Sequence, residues 1–157
     1  MHTICLIDTS VFCELVVVPN LAREPKRFQQ EFRRRAKAGE AFVLPMATII
    51  ETGNHIGQNG DGSQRRVVAE RFVALVRTAS VGNRPFTMSP MIEPADLAAY
   101  LDRFVEWASR SDVRGKGSGL GDLTIFAEWD RQRRLNPGRR VYVWSLDAHL
   151  SAYDTPA

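Results

Sequence analysis

Two short runs of apolar residues, one near each end of the chain, most constrain its fold. The run ICLI covers residues 4–7 and the run VYVW covers residues 141–144. Neither run alternates polar with apolar residues, which indicates strands that are buried on both faces. The stretches between them alternate strand-like and helical patterns, an order typical of a parallel sheet covered by helices. The sequence therefore predicts an α/β fold.

The apolar spacing predicts the individual elements. The strands are expected at 3–7, 41–44, 85–88 and 140–144, and the helices at 25–38, 46–57, 63–80, 95–110 and 121–134, with a last helix starting within SLDAHLSAY. The stripe expected to face inward from the helix at 63–80 is Val68, Phe72, Leu75, Val76 and Ala79. The corresponding stripe of the helix at 95–110 is Leu97, Leu101, Phe104, Val105 and Ala108.

The length and composition favour one soluble domain. The chain has 157 residues, 44% of them hydrophobic and 25% charged, which suits a single domain over residues 1–157. Its apolar runs are too short to cross a bilayer, and no secretory signal is evident at the N-terminus. The two cysteines, Cys5 and Cys13, lie among apolar residues and lack metal-ligand spacing. Buried free thiols and a cytoplasmic location are the expectation.

Four acidic residues occupy unusual positions in this pattern. Asp8 directly follows the first strand, Asp147 comes three residues after the last strand, and Asp122 begins the helix before it. Parallel strands end at one edge of the sheet, so these positions converge on the crevice where ligands bind in open α/β folds. Glu51 lies among isoleucines in MATIIETGN. Taken singly, Asp122 has an equally good explanation, because an acid in the first turn of a helix interacts favourably with the helix dipole.

A metal ion would explain why the acids collect at one edge. Four carboxylates that lie close together repel one another unless a positive charge lies between them. Ligands that are all oxygen suit the hard cations Mg²⁺ and Mn²⁺. Such ions hold a phosphate, activate water and stabilise the leaving oxygen of a phosphodiester. On this interpretation Asp122 faces inward because it helps to hold the metal.

Four segments, in this order and spacing, resemble the acidic motifs of the PIN-domain family, which includes VapC-like toxin ribonucleases. They are CLIDTSVF, TIIETGN, GDLTIFAEW and VWSLDAHL, and the resemblance spans residues 4 to about 150. It implies a three-layer α/β/α sandwich around a central parallel sheet of four or five strands. It also implies an Mg²⁺- or Mn²⁺-dependent endoribonuclease whose metal-binding and catalytic acids match Asp8, Glu51, Asp122 and Asp147.

The resemblance carries further expectations about polar residues and partners. Thr9 and Ser10 match the polar residues after the first acid, and Ser145 matches a hydroxyl that precedes the last. The implied partners are an RNA substrate, a small antitoxin protein and a second copy of the chain in a homodimer, with no membrane. Two departures stand out. Little chain remains after Asp154 for a fifth edge strand, and the segment at 15–40 is long.

Basic stretches offer candidate contacts to RNA. The sequence RSDVRGKGSG leads to Asp122, and Arg110, Arg114 and Lys116 within it are expected to close over substrate phosphates, although a plain flexible connection explains the loop nearly as well. The stretches RRRAK at 33–37 and RQRR at 131–134 are better explained as solvated helix faces. His55 lies one helical turn after Glu51 on the same helical face and could border the metal site, but such a His is more often a groove or surface residue, and we leave it out of the site.

Alternative functions differ in the residues that they require. A haloacid-dehalogenase-type phosphatase needs a second Asp two residues after Asp8, where this chain has Ser10. A response-regulator receiver needs a Lys just after the last strand, and this chain has no Lys there. A P-loop needs a Ser or Thr after Lys116, which is followed by Gly117. The remaining alternative is a non-catalytic PIN-like RNA-binding or scaffold module. The complete set of four acids argues against it, because a scaffold gains nothing from their repulsion.

Overall fold

A computed structural model of the chain describes residues 3–110 and 117–156 and has a central sheet with helices on both faces. The elements are β1 (Ile4–Ile7), α1 (Thr9–Val16), α2 (Pro25–Lys37), β2 (Ala41–Leu44), α3 (Met46–Gln58), α4 (Gly62–Ser80), β3 (Phe86–Met88), α5 (Pro94–Ser109), α6 (Leu120–Leu135), β4 (Val141–Trp144), α7 (Ala148–Ser151) and β5 (Asp154–Thr155). The predicted elements are confirmed, with ends that shift by one or two residues. No helix within the described ranges is long and apolar enough to span a membrane.

The sheet has five strands in the order β3-β2-β1-β4-β5. The pairings of β1 with β2, β1 with β4 and β2 with β3 are parallel, whereas β5 pairs antiparallel with β4. The predicted sandwich with a sheet of four or five strands is therefore confirmed. The expectation that little room remains for a fifth strand was wrong, because two residues, paired as Val141 with Thr155 and Tyr142 with Asp154, are enough to form it.

Two hydrophobic cores cover the two faces of the sheet. One contains β-strand residues such as Phe42 together with side chains of α1, α2 and α4, and the other packs α6 and α7 against Leu6 and Val143. The predicted inward face of α4 is confirmed in the first core: Val68 and Ala79 are buried, and Phe72, Leu75 and Val76 are partly buried against it. Both cysteines are buried and free.

The predicted inward face of α5 was wrong. Leu97, Leu101 and Val105 are 41%, 50% and 80% exposed, Ala108 is exposed, and Phe104 is only half-buried. Trp107, on a different face, is 3% exposed and packs its ring against Phe126 of α6 at 5.3 Å between centroids. The reason is that α5 lies on α6 rather than on the sheet. An apolar stripe shows that a helix is amphipathic. It does not show which part of a wide apolar face, such as that of α5, is covered by a neighbouring element.

A buried carboxylate fixes the start of α2. Glu14 of α1 is 2% exposed, and its two oxygens accept hydrogen bonds from the backbone N–H groups of Arg23 at 2.8 Å and Glu24 at 3.0 Å. These donors lie just before α2, where no side chain of the N-cap residue serves the free N–H groups. Glu14 therefore joins α1 to the beginning of α2 and sets where that helix lies on the sheet.

We predict that Glu14→Ala lowers the free energy of unfolding by about 1–3 kcal/mol, because it leaves two N–H groups without their acceptor. Glu14→Gln retains one acceptor oxygen and is expected to lose less. Glu70→Ala, on the exposed surface of α4, serves as the control and should change stability by less than about 0.5 kcal/mol. Urea unfolding measures all three. Equal stability of the Glu14→Ala and Glu70→Ala variants would contradict the role assigned to Glu14.

Candidate functional site

A pocket of about 310 Å³ lies at the edge of the sheet where the parallel strands end. Its lining residues are Asp8, Thr9, Ser10, Cys13, Leu21, Glu51, His55, Asp122, Leu146 and Asp147. The structure thus brings together all four predicted acids, although they come from four separate parts of the chain. Their role as metal ligands stays a prediction.

Two serine hydroxyls hold the carboxylate of Asp8. Ser10 Oγ and Ser145 Oγ each donate to Asp8 Oδ2 at 2.7 Å. Ser10 Oγ in turn accepts from the N–H of Leu146 at 2.9 Å, and Ser145 Oγ accepts from the N–H of Asp147 at 2.9 Å. Asp8, which is 5% exposed, is therefore joined to the loop that carries Asp147. The predicted supporting residues Ser10 and Ser145 lie where their hydroxyls orient the first acid.

The carboxylate of Glu51 is positioned by a hydroxyl and by a glycine. Thr9 Oγ1 donates to Glu51 Oε2 at 2.8 Å, which joins the start of α1 to α3. On the other side, a Cβ added at Gly121 of α6 would overlap Oε1 and lie 3.1 Å from Cδ of Glu51. A side chain at position 121 would therefore require the Glu51 carboxylate to move from its present position. The sequence analysis missed Gly121, and its one sequence signal is a glycine in the first turn of a helix directly before an acid.

Asp122 and Asp147 each accept a hydrogen bond from a backbone N–H at the start of a helix. The N–H of Gly119 donates to Asp122 Oδ2 at 3.1 Å, and the N–H of His149 donates to Asp147 Oδ1 at 2.8 Å. The helix-end explanation offered for Asp122 therefore holds geometrically, and its role as a metal ligand stays a prediction. One oxygen satisfies the helix end, and the residue also lines the acidic pocket.

Burial raises the pKa of Asp122, and the N–H of Gly119 partly opposes the shift. The negative charges of Asp8, Asp147 and Glu51 raise it further. A carboxyl whose pKa rises on folding contributes stability below its ordinary pKa and loses that contribution as the pH rises through the raised value. Burial and the three neighbouring carboxylates thus both disfavour the ionised form of Asp122.

Each of the four acids has one oxygen committed to a hydrogen bond and one that is not. Within residues 3–110 and 117–156, Asp8 Oδ1, Glu51 Oε1, Asp122 Oδ1 and Asp147 Oδ2 accept no hydrogen bond. In the same ranges, no group of three or more His, Cys, Asp or Glu side chains is arranged closely enough to hold one metal ion. The acids therefore share a pocket but do not form a closed coordination shell.

The expected phosphate-binding loop is only partly within the described residues. Arg110 pairs with Glu106 at 3.5 Å and stacks over the Trp107 ring at 4.9 Å, and it does not line the pocket. Arg114 and Lys116 lie outside the described residues. The proposed contact of this loop with RNA stays a prediction.

Several residues that the sequence analysis left out of the site do line the pocket. His55 was considered and set aside, yet it lies at the pocket one turn after Glu51. Leu21 and Leu146, which are 38% and 60% exposed, were missed. The spacing of His55 from Glu51 is the sequence signal that places His55 beside the site, whereas no sequence signal distinguishes Leu21 and Leu146 from other leucines.

Comparisons with known proteins give a likeness of structure. No protein-family profile and no curated protein sequence matches the chain. Among solved structures, the chain resembles one described as "Structure of FitAB bound to IR36 DNA fragment". The match covers 93% of this chain and 87% of that one, with a TM-score of 0.55 and 16% sequence identity. Likeness at this identity shows a shared fold.

The chain has a PIN-like fold. The α/β order, the largely parallel sheet and the structural match together confirm the resemblance to PIN domains at the level of the fold. Within this PIN-like fold, the four motif acids of that resemblance lie at one pocket.

We predict that Gly121→Ala is stabilising only when the carboxylate of Glu51 is removed. In a Glu51→Ala background, the substitution should gain roughly 0.5–1 kcal/mol, since alanine favours a helix over glycine. In the parent, that gain should be offset because Glu51 must move and lose its hydrogen bond to Thr9. Gly57→Ala in α3, where an added Cβ meets no atom within 4 Å, is the control.

Urea unfolding of the four proteins of this double-mutant cycle measures the coupling, which we expect to be on the order of 1 kcal/mol. The control substitution should change stability equally in both backgrounds. If Gly121→Ala also has equal effects in both, then Glu51 does not pack against Gly121 in solution.

Proposed function

We propose that the chain is a metal-dependent endoribonuclease that hydrolyses RNA phosphodiester bonds, and that it is the toxin of a toxin–antitoxin pair. The observation that carries this proposal is the meeting of four acids from four motifs at one pocket, each with one oxygen that accepts no hydrogen bond from the described residues. The PIN-like fold supports it, since the motif resemblance and the structural match indicate the same fold.

The donor set suits Mg²⁺ or Mn²⁺. Carboxylate oxygens are the preferred ligands of these hard cations. Burial, and after it the charges of the other three acids, raise the pKa of Asp122, and a bound cation would oppose both effects. Asp8, Glu51, Asp122 and Asp147 would hold the ion, and small movements of these side chains would have to complete its coordination.

The residues of the chain have separable roles in this reaction. Ser10 and Ser145 keep Asp8 in one orientation, and Thr9 does the same for Glu51. A bound ion would activate the attacking water and stabilise the leaving oxygen. The hydroxyls of Thr9, Ser10 and Ser145 bond only one oxygen of Glu51 or of Asp8. A bound ion could therefore contact the other oxygen without breaking these hydrogen bonds.

The alternative is a non-catalytic PIN-like module that binds RNA or acts as a scaffold. It predicts no metal affinity and no cleavage. The presence of four acids at one pocket argues against it, because a scaffold would have no use for carboxylates that repel one another.

The proposal includes partners. The resemblance to VapC-like toxins implies a small antitoxin and a homodimer. The similar solved structure, of FitAB on a DNA fragment, is an assembly bound to DNA, which agrees with a chain that acts within a complex. A short reading frame beside this gene that encodes a DNA-binding pattern would support an antitoxin.

We predict that the variant Asp122→Asn distinguishes a role of Asp122 in metal binding from a role only at the start of the helix. Asparagine keeps the acceptor for the Gly119 N–H but removes one negative charge. The metal-free variant should be as stable as the parent or more stable by about 1 kcal/mol, because it relieves repulsion. Mn²⁺ should raise the melting temperature of the parent much more than that of the variant, and RNA cleavage should fall by orders of magnitude.

The control is Asp102→Asn on the exposed surface of α5, which should respond to Mn²⁺ like the parent and keep full activity. If Asp122 acts only at the helix end, Asp122→Asn should instead cost a few tenths of a kcal/mol. An Mn²⁺ response equal to that of the parent, with cleavage retained, would remove Asp122 from the metal site.

We further predict that cleaved RNA carries a 5′-phosphate and a 3′-hydroxyl, because an activated water rather than the ribose 2′-hydroxyl attacks the phosphorus. Mass spectrometry of the products of a defined oligonucleotide identifies the ends. Chelation by EDTA should stop the reaction, and Mg²⁺ or Mn²⁺ should restore it. A 2′,3′-cyclic phosphate, or undiminished cleavage in EDTA, would refute the mechanism.

A further inference from the structure

Positive charge in this protein is concentrated on α2. The helix carries six cations and one acid, Glu31. Its net charge of +5 exceeds the +3 of the whole chain, so all the other residues together are net negative. The cations are Lys26, Arg27, Arg33, Arg34, Arg35 and Lys37.

Part of this helix forms one wall of a cavity of about 500 Å³. The lining residues are Arg27, Phe28, Gln30, Glu31, Arg34, Arg35 and Trp144. Those from α2 recur at helical spacing, so the cavity takes up one face of the helix. Trp144, the last residue of β4, also lines the cavity, and its ring stacks on Phe28 of α2 at 5.8 Å between centroids.

Three arginines line the cavity, one of them packed against its wall and two exposed to solvent. Arg35 lies with its guanidinium 4.2 Å from the centre of the Trp144 ring and bonds Glu31 at 2.7 Å, so it belongs to the wall. Arg27 and Arg34 have side chains that are 72% and 69% exposed. Arg27 pairs at the surface with Glu24, the N-cap residue of α2, and such exposed pairs contribute little stability. Arg34 holds the partly buried Glu31 through two hydrogen bonds at 2.9 and 2.7 Å, so a phosphate that contacts Arg34 would compete with that carboxylate.

The cavity adjoins the acidic pocket through β4. Trp144 lines the cavity, and the next residue, Ser145, donates to Asp8 at 2.7 Å. The backbone carbonyl of Trp144 also accepts from the N–H of Asp8 at 3.1 Å. One step along β4 therefore separates a residue that lines the cavity from a residue that supports the acidic pocket.

The acidic pocket needs cations beside it if it is to accept RNA. Among the described residues that line it there is no Lys or Arg, and four of them are acids. A polyanion approaching such a pocket is repelled except where adjacent positive charge holds it. The cavity beside α2 supplies that charge.

We propose that the cavity between α2 and Trp144 is a binding subsite for single-stranded RNA, in which Arg27 and Arg34 contact phosphates flanking the scissile bond. This rests on the proposed function and adds where the substrate is held. Guanidinium groups bind phosphate oxygens through paired hydrogen bonds, and the Gln30 amide offers a donor and an acceptor to a nucleotide. On this proposal Arg34, within RRRAK, has a role in addition to the solvated helix face expected from the sequence.

The experiment measures binding of a short fluorescein-labelled single-stranded RNA of mixed sequence by fluorescence anisotropy in EDTA at several salt concentrations. EDTA prevents metal-dependent cleavage, so the result does not depend on whether the chain is a nuclease. Arg27→Ala/Arg34→Ala should weaken binding about tenfold and lower the salt slope by about 0.7 for each lost phosphate contact.

The matched control is Arg66→Ala/Arg77→Ala, which removes two exposed cations from α4, outside both cavities. It changes the net charge equally and should leave the salt slope unchanged. Arg27→Lys/Arg34→Lys keeps the charge and should recover most of the salt slope. A thermal melt of each variant confirms that it is folded, since the affected ion pairs lie on the surface.

The outcomes separate this inference from the proposed function. Weakened binding by Arg27→Ala/Arg34→Ala supports the subsite even if no cleavage is ever found. If Arg27→Ala/Arg34→Ala cleaves RNA normally and its binding and salt slope equal those of the control, the subsite is wrong. The proposed nuclease activity would then still stand. A glutamate-rich peptide is the last probe. If the substitutions abolish its binding and leave RNA binding unchanged, the cavity serves a protein and the inference is wrong.

Discussion

The parallel pairing of β1 with its two neighbours is the constraint on which the site depends. Ile7 pairs with Trp144, so the residues that follow each strand, Asp8 and Ser145, come side by side. On the other side of β1, Thr48 of α3 donates to the carbonyl of Ile7 at 2.8 Å, which sets α3 against the same edge. One turn later α3 presents Glu51. Backbone pairing and one buried hydroxyl thus collect acids that are distant in sequence.

Negative and positive charge are concentrated in different parts of the structure. The pocket at Asp8 is lined by four acids. The cavity beside α2 is lined by three arginines and by Trp144, whose neighbour in the chain, Ser145, donates to Asp8. Glu14 holds the start of that helix, so a buried carboxylate that takes no part in the pocket still determines where the cations lie. Such an arrangement suits a polyanion that must be held next to a site that repels it.

Much of this arrangement follows from the sequence, and the failures have physical causes. Strand runs and acids at strand ends predicted the sheet and the convergence of Asp8 and Asp147, because parallel topology leaves few alternatives. The exposed side of α5 was not predictable, since periodicity reports an apolar stripe but not the partner that covers it. Gly121 and the cavity at Arg34 depend on contacts between elements far apart in sequence. No local pattern encodes contacts of that kind.

The incomplete convergence of the acids has a simple physical origin. Each carboxylate is held through one oxygen by a hydroxyl or a backbone N–H, and these donors also offset part of the repulsion in the metal-free pocket. Drawing all four second oxygens together without a cation would raise that repulsion steeply as their separation fell. The hydroxyl and N–H donors therefore stabilise an open arrangement. Because they occupy only one oxygen of each acid, a cation that binds the others gains electrostatic energy without displacing a single supporting hydrogen bond.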